Sequence, residues 1–318
     1  MSFSSRVKEE LARHIGTARH CKIAEIAAII NMCGKLGKNK DGQIAGLKIQ
    51  TENPAVARKC FTLLKKTFNI KVEVSIRKSK HLGTHRVYHI YVVDTEDVLK
   101  VLKVCRLLED GEIVRKISPL IVQTTCCKRA YIRGAFLASG SLSDPEKTYH
   151  LEFVNQGLEH AKSLSDLINT FDMDSKIVIR KKYFVVYLKE GRQIVDLLNV
   201  MEAHVALMEL ENLRILKDMR NKVNRIVNCE TANLSKTVLA SVKQVNDIEL
   251  IEATKGLHTL TEPLEVIARL RLDNPSASLK ELGDMLSSPV GKSGVNHRLR
   301  KISQIAESIR NTREDYHD

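Results

Sequence analysis

The constraint that most limits the fold of this chain is an internal repeat. Residues 20 to about 205 state the same order of elements twice. The first unit opens with the apolar stretch Lys22-Ile-Ala-Glu-Ile-Ala-Ala-Ile-Ile-Asn-Met-Cys-Gly34, followed by a strand at Gln43–Gln50 with Ile44, Leu47 and Ile49 apolar. Asn53-Pro54 then starts a helix, with Pro54 suited to its first position. Strands at Lys71–Arg77 and His85–Val93 follow, and Asp94 is placed to cap a helix running to Leu108. The second unit repeats this order. It opens with Lys128-Arg-Ala-Tyr-Ile-Arg-Gly-Ala-Phe-Leu-Ala-Ser-Gly140, then has a strand at Tyr149–Asn155 and a helix from Gly157. A hairpin, Lys176–Arg180 with Tyr183–Lys189, and a helix near Arg192 complete it. Gly34 and Gly140 lie 106 positions apart, and Asn53 and Gly157 lie 104 apart. Two α+β halves about a pseudo-twofold axis are the simplest arrangement.

The opening helices carry small residues at helical spacing: Ala24 and Ala28 in one, and Ala130, Gly134 and Ala138 in the other. This spacing lets two backbones approach closely, and the terminal glycines, Gly34 and Gly140, are placed to cap the helix ends. Ile26-Ala-Ala-Ile-Ile-Asn-Met-Cys-Gly34 and Ile132-Arg-Gly-Ala-Phe-Leu-Ala-Ser-Gly140 resemble the paired motif of LAGLIDADG homing endonucleases. The resemblance implies an antiparallel β saddle built from both halves and lying along DNA. It also implies metal-binding acids just before each terminal glycine. Those positions hold Cys33 and Ser139, which offer Mg²⁺ no anionic oxygen. A displaced carboxylate from Asp41 or Asp144, in the loops just beyond, is the one remaining source. The scaffold is therefore expected to have no catalytic residues, no cofactor and no bound metal.

The chain has 318 residues, with 51 Lys and Arg against 38 Asp and Glu, a net charge of +13 that favours a polyanionic partner. Residues 1–221 hold 37 of the basic and 25 of the acidic side chains. Basic residues cluster in the hairpins at Arg77, Lys78, Lys80 and Arg86 and at Arg180, Lys181 and Lys182, which are candidate contacts to a phosphate backbone. No stretch has the order of a signal peptide, and no apolar run reaches membrane-spanning length, so a cytoplasmic protein is expected. The seven cysteines are odd in number and form no Cys-x-x-Cys. The adjacent Cys126 and Cys127 make a poor chelating pair, so reduced thiols are the expected state.

The C-terminal part reads differently. A helical pattern from Ala203 gives way to a polar, Asn-rich run, which suggests a linker at 221–233. Helices follow at about Leu234–Ala253, Pro263–Leu272, Leu279–Leu286 and Ser293–Arg310. Ser278 and Glu281 form a Ser-x-x-Glu capping box, and Ser287-Ser-Pro-Val-Gly291 is a breaker-rich turn. In the next helix Val295, Leu299, Ile302, Ile305 and Ile309 form an apolar stripe. Lys292, Ser293, Asn296, His297, Arg298, Arg300 and Lys301 lie off that stripe and supply the donors that read bases or hold phosphates. This is the layout of a DNA-binding helix-turn-helix over 278–306.

Two degenerate LAGLIDADG-like motifs joined to this segment resemble the WhiA family of bacterial DNA-binding regulators. Leu279-Lys-Glu-Leu-Gly283 and Lys292-Ser-Gly-Val-Asn-His-Arg-Leu-Arg-Lys-Ile302 carry the likeness. The expected fold class is α+β: residues 1–220 form two LAGLIDADG-like halves (about 20–117 and 126–205), 221–233 a linker, and 234–318 an all-α DNA-binding domain. The resemblance implies a sequence-specific regulator of transcription, associated with the nucleoid and linked to sporulation or to cell division and chromosome segregation. Its expected partners are double-stranded DNA and a second protein on the LAGLIDADG-like domain, with no membrane. The alternative is an active metal-dependent endonuclease targeted by its helix-turn-helix.

Overall fold

The computed structural model describes residues 2–78 and 86–314, the side chains of Lys78 and of 312–314 excepted. The chain divides into two compact units, one ending at Lys217 and one beginning at Asp218. The first unit opens with helix α1 (Phe3–Arg13), which precedes the repeat. The first half then runs α2 (Arg19–Cys33), β1 (Gly34–Lys38), β2 (Ile44–Thr51), α3 (Pro54–Phe68), β3 (Glu73–Lys78), β4 (Arg86–Val92) and α4 (Thr95–Val104). A short ladder, β5 (Leu108–Glu109) with β6 (Glu112–Ile113), and a 3-10 turn at Pro119–Ile121 lead to the second half. That half has α5 (Thr125–Ser139), β7 (Gly140–Leu142), β8 (Leu151–Asn155), α6 (Leu158–Asn169), β9 (Lys176–Arg180), β10 (Tyr183–Leu188) and α7 (Gly191–Met201).

Each half contains one antiparallel four-stranded sheet. The strand orders correspond: β1-β2-β4-β3 and β7-β8-β10-β9. Each half has one strand more than the repeat predicts. The extra strands, β1 and β7, begin on the motif-ending glycines, which pair with Ile49 and Phe153. Those glycines do not take the left-handed capping conformation. Gly34 (φ −73°) and Gly140 (φ −70°) are extended, and their amides donate to Ile30 and Phe136 while the chain turns into the sheet. The caps at Asn53 and Asp94 form as expected: Asn53 Oδ1 accepts from Ala55 N (2.8 Å) and Asp94 Oδ1 from Asp97 N (3.0 Å).

Helices α2 and α5 form the buried centre of this unit. Ala24, Ala28 and Ala130 are completely buried, and a Cβ built on Gly134 would lie 2.3 Å from the carbonyl oxygen of Glu25. This contact is sealed by charge. Glu25 Oε1 receives Lys59 Nζ at 2.5 Å and Arg133 Nε at 3.0 Å, and all three side chains are buried. Lys59 also donates to the carbonyls of Leu11 (2.8 Å) and His14 (2.7 Å), and Arg133 reaches Glu202 Oε2 at 2.5 Å. Burial pulls the Lys59 ammonium down from its ordinary pKa, and Glu25 opposes that shift.

A second buried chain ties the sheet of the second half to α5. Asn155 Nδ2 donates to two carbonyls, Phe153 and Phe184, so its Oδ1 accepts from His160 Nδ1 at 2.8 Å. His160 Nε2 then accepts from Tyr131 Oη at 2.9 Å. The ring is neutral in this arrangement. Burial, with a smaller contribution from the charge of Arg115, pushes its pKa down to about 4.

The remaining elements are α8 (His204–Thr254), a 3-10 turn at Leu257–Thr259, α9 (Glu262–Asp273), α10 (Leu279–Asp284) and α11 (Lys292–Glu314). The break expected at 221–233 is absent: α8 is helical throughout, and every residue from Asp218 to Ala240 is exposed. The reason lies in composition. No Gly or Pro falls within His204–Thr254, and Asn costs an exposed helix only a fraction of about 1 kcal/mol.

Two outcomes follow from the buried centre. Gly134→Ala should gain about 1 kcal/mol of helix propensity yet lose more to the clash with Glu25, for a net loss of roughly 1–3 kcal/mol in denaturant melts. Acid should also weaken the fold. The unfolded chain takes up a proton on His160 near pH 6.5, whereas the folded chain resists until about pH 4. Stability attributable to this group therefore falls as pH drops through that window, by an amount on the order of 3 kcal/mol. In His160→Gln, melting temperature measured against pH should lose this part of its slope.

Candidate nucleic-acid interface

The second unit has its own core, in which Ile248, Ile251, Ile267, Leu282, Val295, Leu299 and Ile302 are buried together. Asp247 on α8 is fully buried and receives Arg310 Nη2 of α11 at 2.5 Å. Arg271, near the end of α9, is buried. Its guanidinium donates to the carbonyls of Ala277 (2.7 Å) and Pro275 (3.3 Å), which fixes the loop into α10.

Helix α10 starts as its sequence requires. Ser278 Oγ accepts from Glu281 N at 3.3 Å, and Glu281 Oε2 accepts from Ser278 N at 2.7 Å, which completes the capping box. Backbone bonds from the Ser278 cap hold the Glu281 carboxyl below its usual pKa. The turn then folds back onto α10. Val290 N donates to Gly283 O, and a Cβ on Gly283 would lie 2.0 Å from the Val290 carbonyl oxygen. Only a residue without a side chain fits there.

Helix α11 buries Val295, Leu299, Ile302, Ala306 and Ile309, and Ile305 is half-buried at the edge of the stripe. Of the candidate contact residues, Lys292, Ser293, His297, Arg300 and Lys301 are exposed, and Asn296 and Arg298 are partly exposed. All seven lie on the first three turns of one helix. Lys292 and Asn296 also line a cleft of about 480 Å³ together with Lys236, Gln244, Lys280 and Arg271. Lys236 and Lys280 were not among the residues marked by sequence. Lys280 sits on α10 and Lys236 on α8, so only the fold brings their charges to Lys292.

The basic residues of the first unit are less uniform. Arg77 and Arg86 are exposed at the end of the β3–β4 ladder where Lys78 pairs with Arg86. Lys80 lies outside the described residues, as does the side chain of Lys78. Arg180 is engaged by Glu152 Oε2 at 2.7 Å. Lys181 takes a left-handed turn conformation (φ 55°), and Lys182 lies over the Tyr183 ring.

The nuclease-like positions do not fit a hard divalent metal. Cys33 Sγ is turned back to the Ile29 carbonyl at 3.2 Å, and burial pushes its thiol up to about 12. Its charged neighbour is a cation, Lys8, whose proximity partly offsets that shift. Ser139 offers only a hydroxyl. Asp41 and Asp144 are exposed in turns, and Asp144 Oδ1 is used by Glu146 N at 3.1 Å.

Three family models match successive parts of the chain: the WhiA N-terminal LAGLIDADG-like domain at residues 19–108, the WhiA LAGLIDADG-like domain at 128–220 and the WhiA C-terminal HTH domain at 223–306. The chain belongs to the WhiA family. It is 55% identical to a probable cell division protein WhiA of Lachnoclostridium phytofermentans, over 98% of this chain and 100% of the relative. It is 54% identical to another of that name from Alkaliphilus oremlandii, over 97% and 98%. Among solved structures, it is similar to full-length DUF199/WhiA from Thermatoga maritima, with TM-score 0.60, 26% identity and coverage of 97% and 99%. The α+β class expected from the repeat is therefore that of the WhiA fold. No helix among the described residues is long and apolar enough to cross a membrane.

Because the α10–α11 turn closes on Gly283, Gly283→Ala should displace Val290 and cost roughly 1–3 kcal/mol. Thermal denaturation of the full chain should show the loss, and DNA affinity should fall with it.

Proposed function

We propose that this WhiA family member is a sequence-specific double-stranded DNA-binding regulator that does not cleave DNA. One observation carries the reading. Helix α11 is anchored by an apolar stripe and preceded by a capped helix and a tight turn, and it presents Asn296, His297, Arg298, Arg300 and Lys301 away from that stripe. Arg and Asn can make bidentate contacts with guanine and adenine edges in a major groove, and Lys grips phosphate. The amides at Lys292–Gly294 open the helix and favour a phosphate there. The names of its relatives support a role linked to cell division. A part in sporulation, and residence on the nucleoid, extend the same reading. The cations of the first unit, Arg77, Lys78, Lys80, Arg86, Lys181 and Lys182, add backbone contacts or a surface for a second protein, while Arg180 is partly neutralised by Glu152.

The endonuclease reading is disfavoured by Cys33, Ser139 and the Lys8 ammonium, which together offer a dication no anionic clamp. Both readings meet one set of experiments. DNA selection with the full chain at fixed salt identifies a site. On that site Arg298→Ala should cost about 1–3 kcal/mol in specific affinity, and Asn296→Ala should relax specificity at one position. Unchanged mobility-shift titrations for both variants would end the assignment of α11 as the reading helix. Supercoiled plasmid incubated with Mg²⁺ or Mn²⁺ should stay intact. Specific cutting, lost when Asp41 or Asp144 is replaced, would establish the nuclease instead.

A further inference from the structure

Four nitrogen and sulfur ligands meet where α2 and α5 begin. His20 and Cys21 come from the first turn of α2, and Cys126 and Cys127 from the first turn of α5. One ligand atom from each lies within 4.8 Å of every other. His20 Nδ1 is 3.1 Å from Cys127 Sγ and 3.4 Å from Cys21 Sγ. The pairs are equivalents in the repeat: His20 to Cys126 and Cys21 to Cys127 are each 106 positions apart, as are Gly34 and Gly140. Two adjacent cysteines chelate poorly alone, and on that ground the sequence predicts plain reduced thiols at Cys126 and Cys127. The pseudo-twofold axis supplies the missing second pair.

We propose that His20, Cys21, Cys126 and Cys127 form a structural Zn²⁺ site that clamps the N-terminal ends of the two central helices. The ligand set is the Cys₃His type that suits tetrahedral zinc. A tetrahedron with zinc–sulfur bonds of about 2.3 Å has edges of about 3.8 Å, so ligand atoms already inside 4.8 Å need only a small contraction. On binding, the three thiols each release a proton and neutral His20 ligates through Nδ1, with no change of redox state. Both helix N-termini lack a side-chain cap, so their partial positive charge faces the thiolates. Thr124 Oγ1 lies 3.2 Å from Cys126 Sγ as an outer hydrogen-bond partner. All four positions come from protein, so the site is closed and structural, without an open place for a reacting water.

The test uses the full chain, purified under reducing conditions with zinc supplied. About one equivalent of zinc should survive dialysis and be released to a chromophoric chelator when a mercurial blocks the thiols. Cobalt in its place should give the intense visible bands of a tetrahedral ion and sulfur-to-cobalt charge transfer. The double variant Cys21→Ser, Cys127→Ser should lose both signals, and Cys229→Ser, on α8, should keep them. Should the double variant fail to fold, His20→Cys and His20→Ala decide the matter. The first keeps a tetrahedral spectrum with stronger sulfur-to-cobalt charge transfer. In the second the bands shift as water replaces the imidazole, and zinc is lost more readily on dialysis. A spectrum unchanged in both overturns the proposal. A wild-type chain that retains no zinc and gives only the weak spectrum of hydrated cobalt overturns the proposal. So does a tetrahedral spectrum that persists in the double variant.

Discussion

The first unit depends on how closely α2 and α5 approach. Their contact is a backbone-to-backbone meeting at Gly134 and Glu25, with no side chain between. Around that contact Ile26, Ile29, Ile132 and Phe136 are buried, and charge completes the seal. Glu25 holds two cations, Lys59 and Arg133, and each cation is held again by a carbonyl or by Glu202. Breaking a buried pair of this kind costs about 3–5 kcal/mol, because the surviving charge is stranded. The cluster also draws in α1, which lies outside the repeat, through the Leu11 carbonyl, and the end of α7 through Glu202. Glu10 of α1 further accepts from the amides of Val205 and Ala206, at the first turn of α8. A helix that precedes the repeat thus becomes part of its keystone.

What could be read from sequence had local causes. The caps at Asn53, Asp94 and Ser278 and the α11 stripe each depend on neighbours within a few residues, and the 106-residue period is carried by the sequence itself. What could not be read depended on distant partners. Strands β1 and β7 were missed because Gly34-Lys-Leu-Gly-Lys38 has no apolar alternation; only the β2 edge makes it a strand. The burial of Lys59 on α3 depends on carbonyls from Leu11 and His14, more than 40 positions away, and nothing near it in sequence announces them. The Asn-rich run in α8 read as a linker because composition was weighed over the absence of true breakers. On the candidate interface, the residues of α11 could be named in advance, whereas Lys236 and Lys280 required the fold.

The nuclease-like unit keeps the packing of its central helices while the positions that end its two motifs carry no acid. Packing of the central helices uses residues upstream of the motif's end, so Cys33 and Ser139 could differ from the acidic pattern without disturbing Gly134 or Ala28. Electrostatics at that end have also changed sign, with Lys8 set beside Cys33. The proposed DNA-reading surface lies instead in a unit whose charge is nearly balanced: residues 222–318 hold 14 basic and 13 acidic side chains. Four of those basic residues, Lys292, Arg298, Arg300 and Lys301, fall within three turns of α11.

The asymmetry of the buried cluster has a consequence for assembly. Under the 106-residue offset, Arg133 corresponds to Ala27 and Glu25 corresponds to Tyr131. Two copies of the first half would face Glu25 with an alanine, and two copies of the second would face Arg133 with a tyrosine. Either self-pairing would lose the Arg133–Glu25 bridge that crosses between the halves, leaving Glu25 to Lys59 alone and Arg133 to Glu202 alone. Across this contact the halves are complementary rather than interchangeable, and joining them in one chain ensures that each half meets the other.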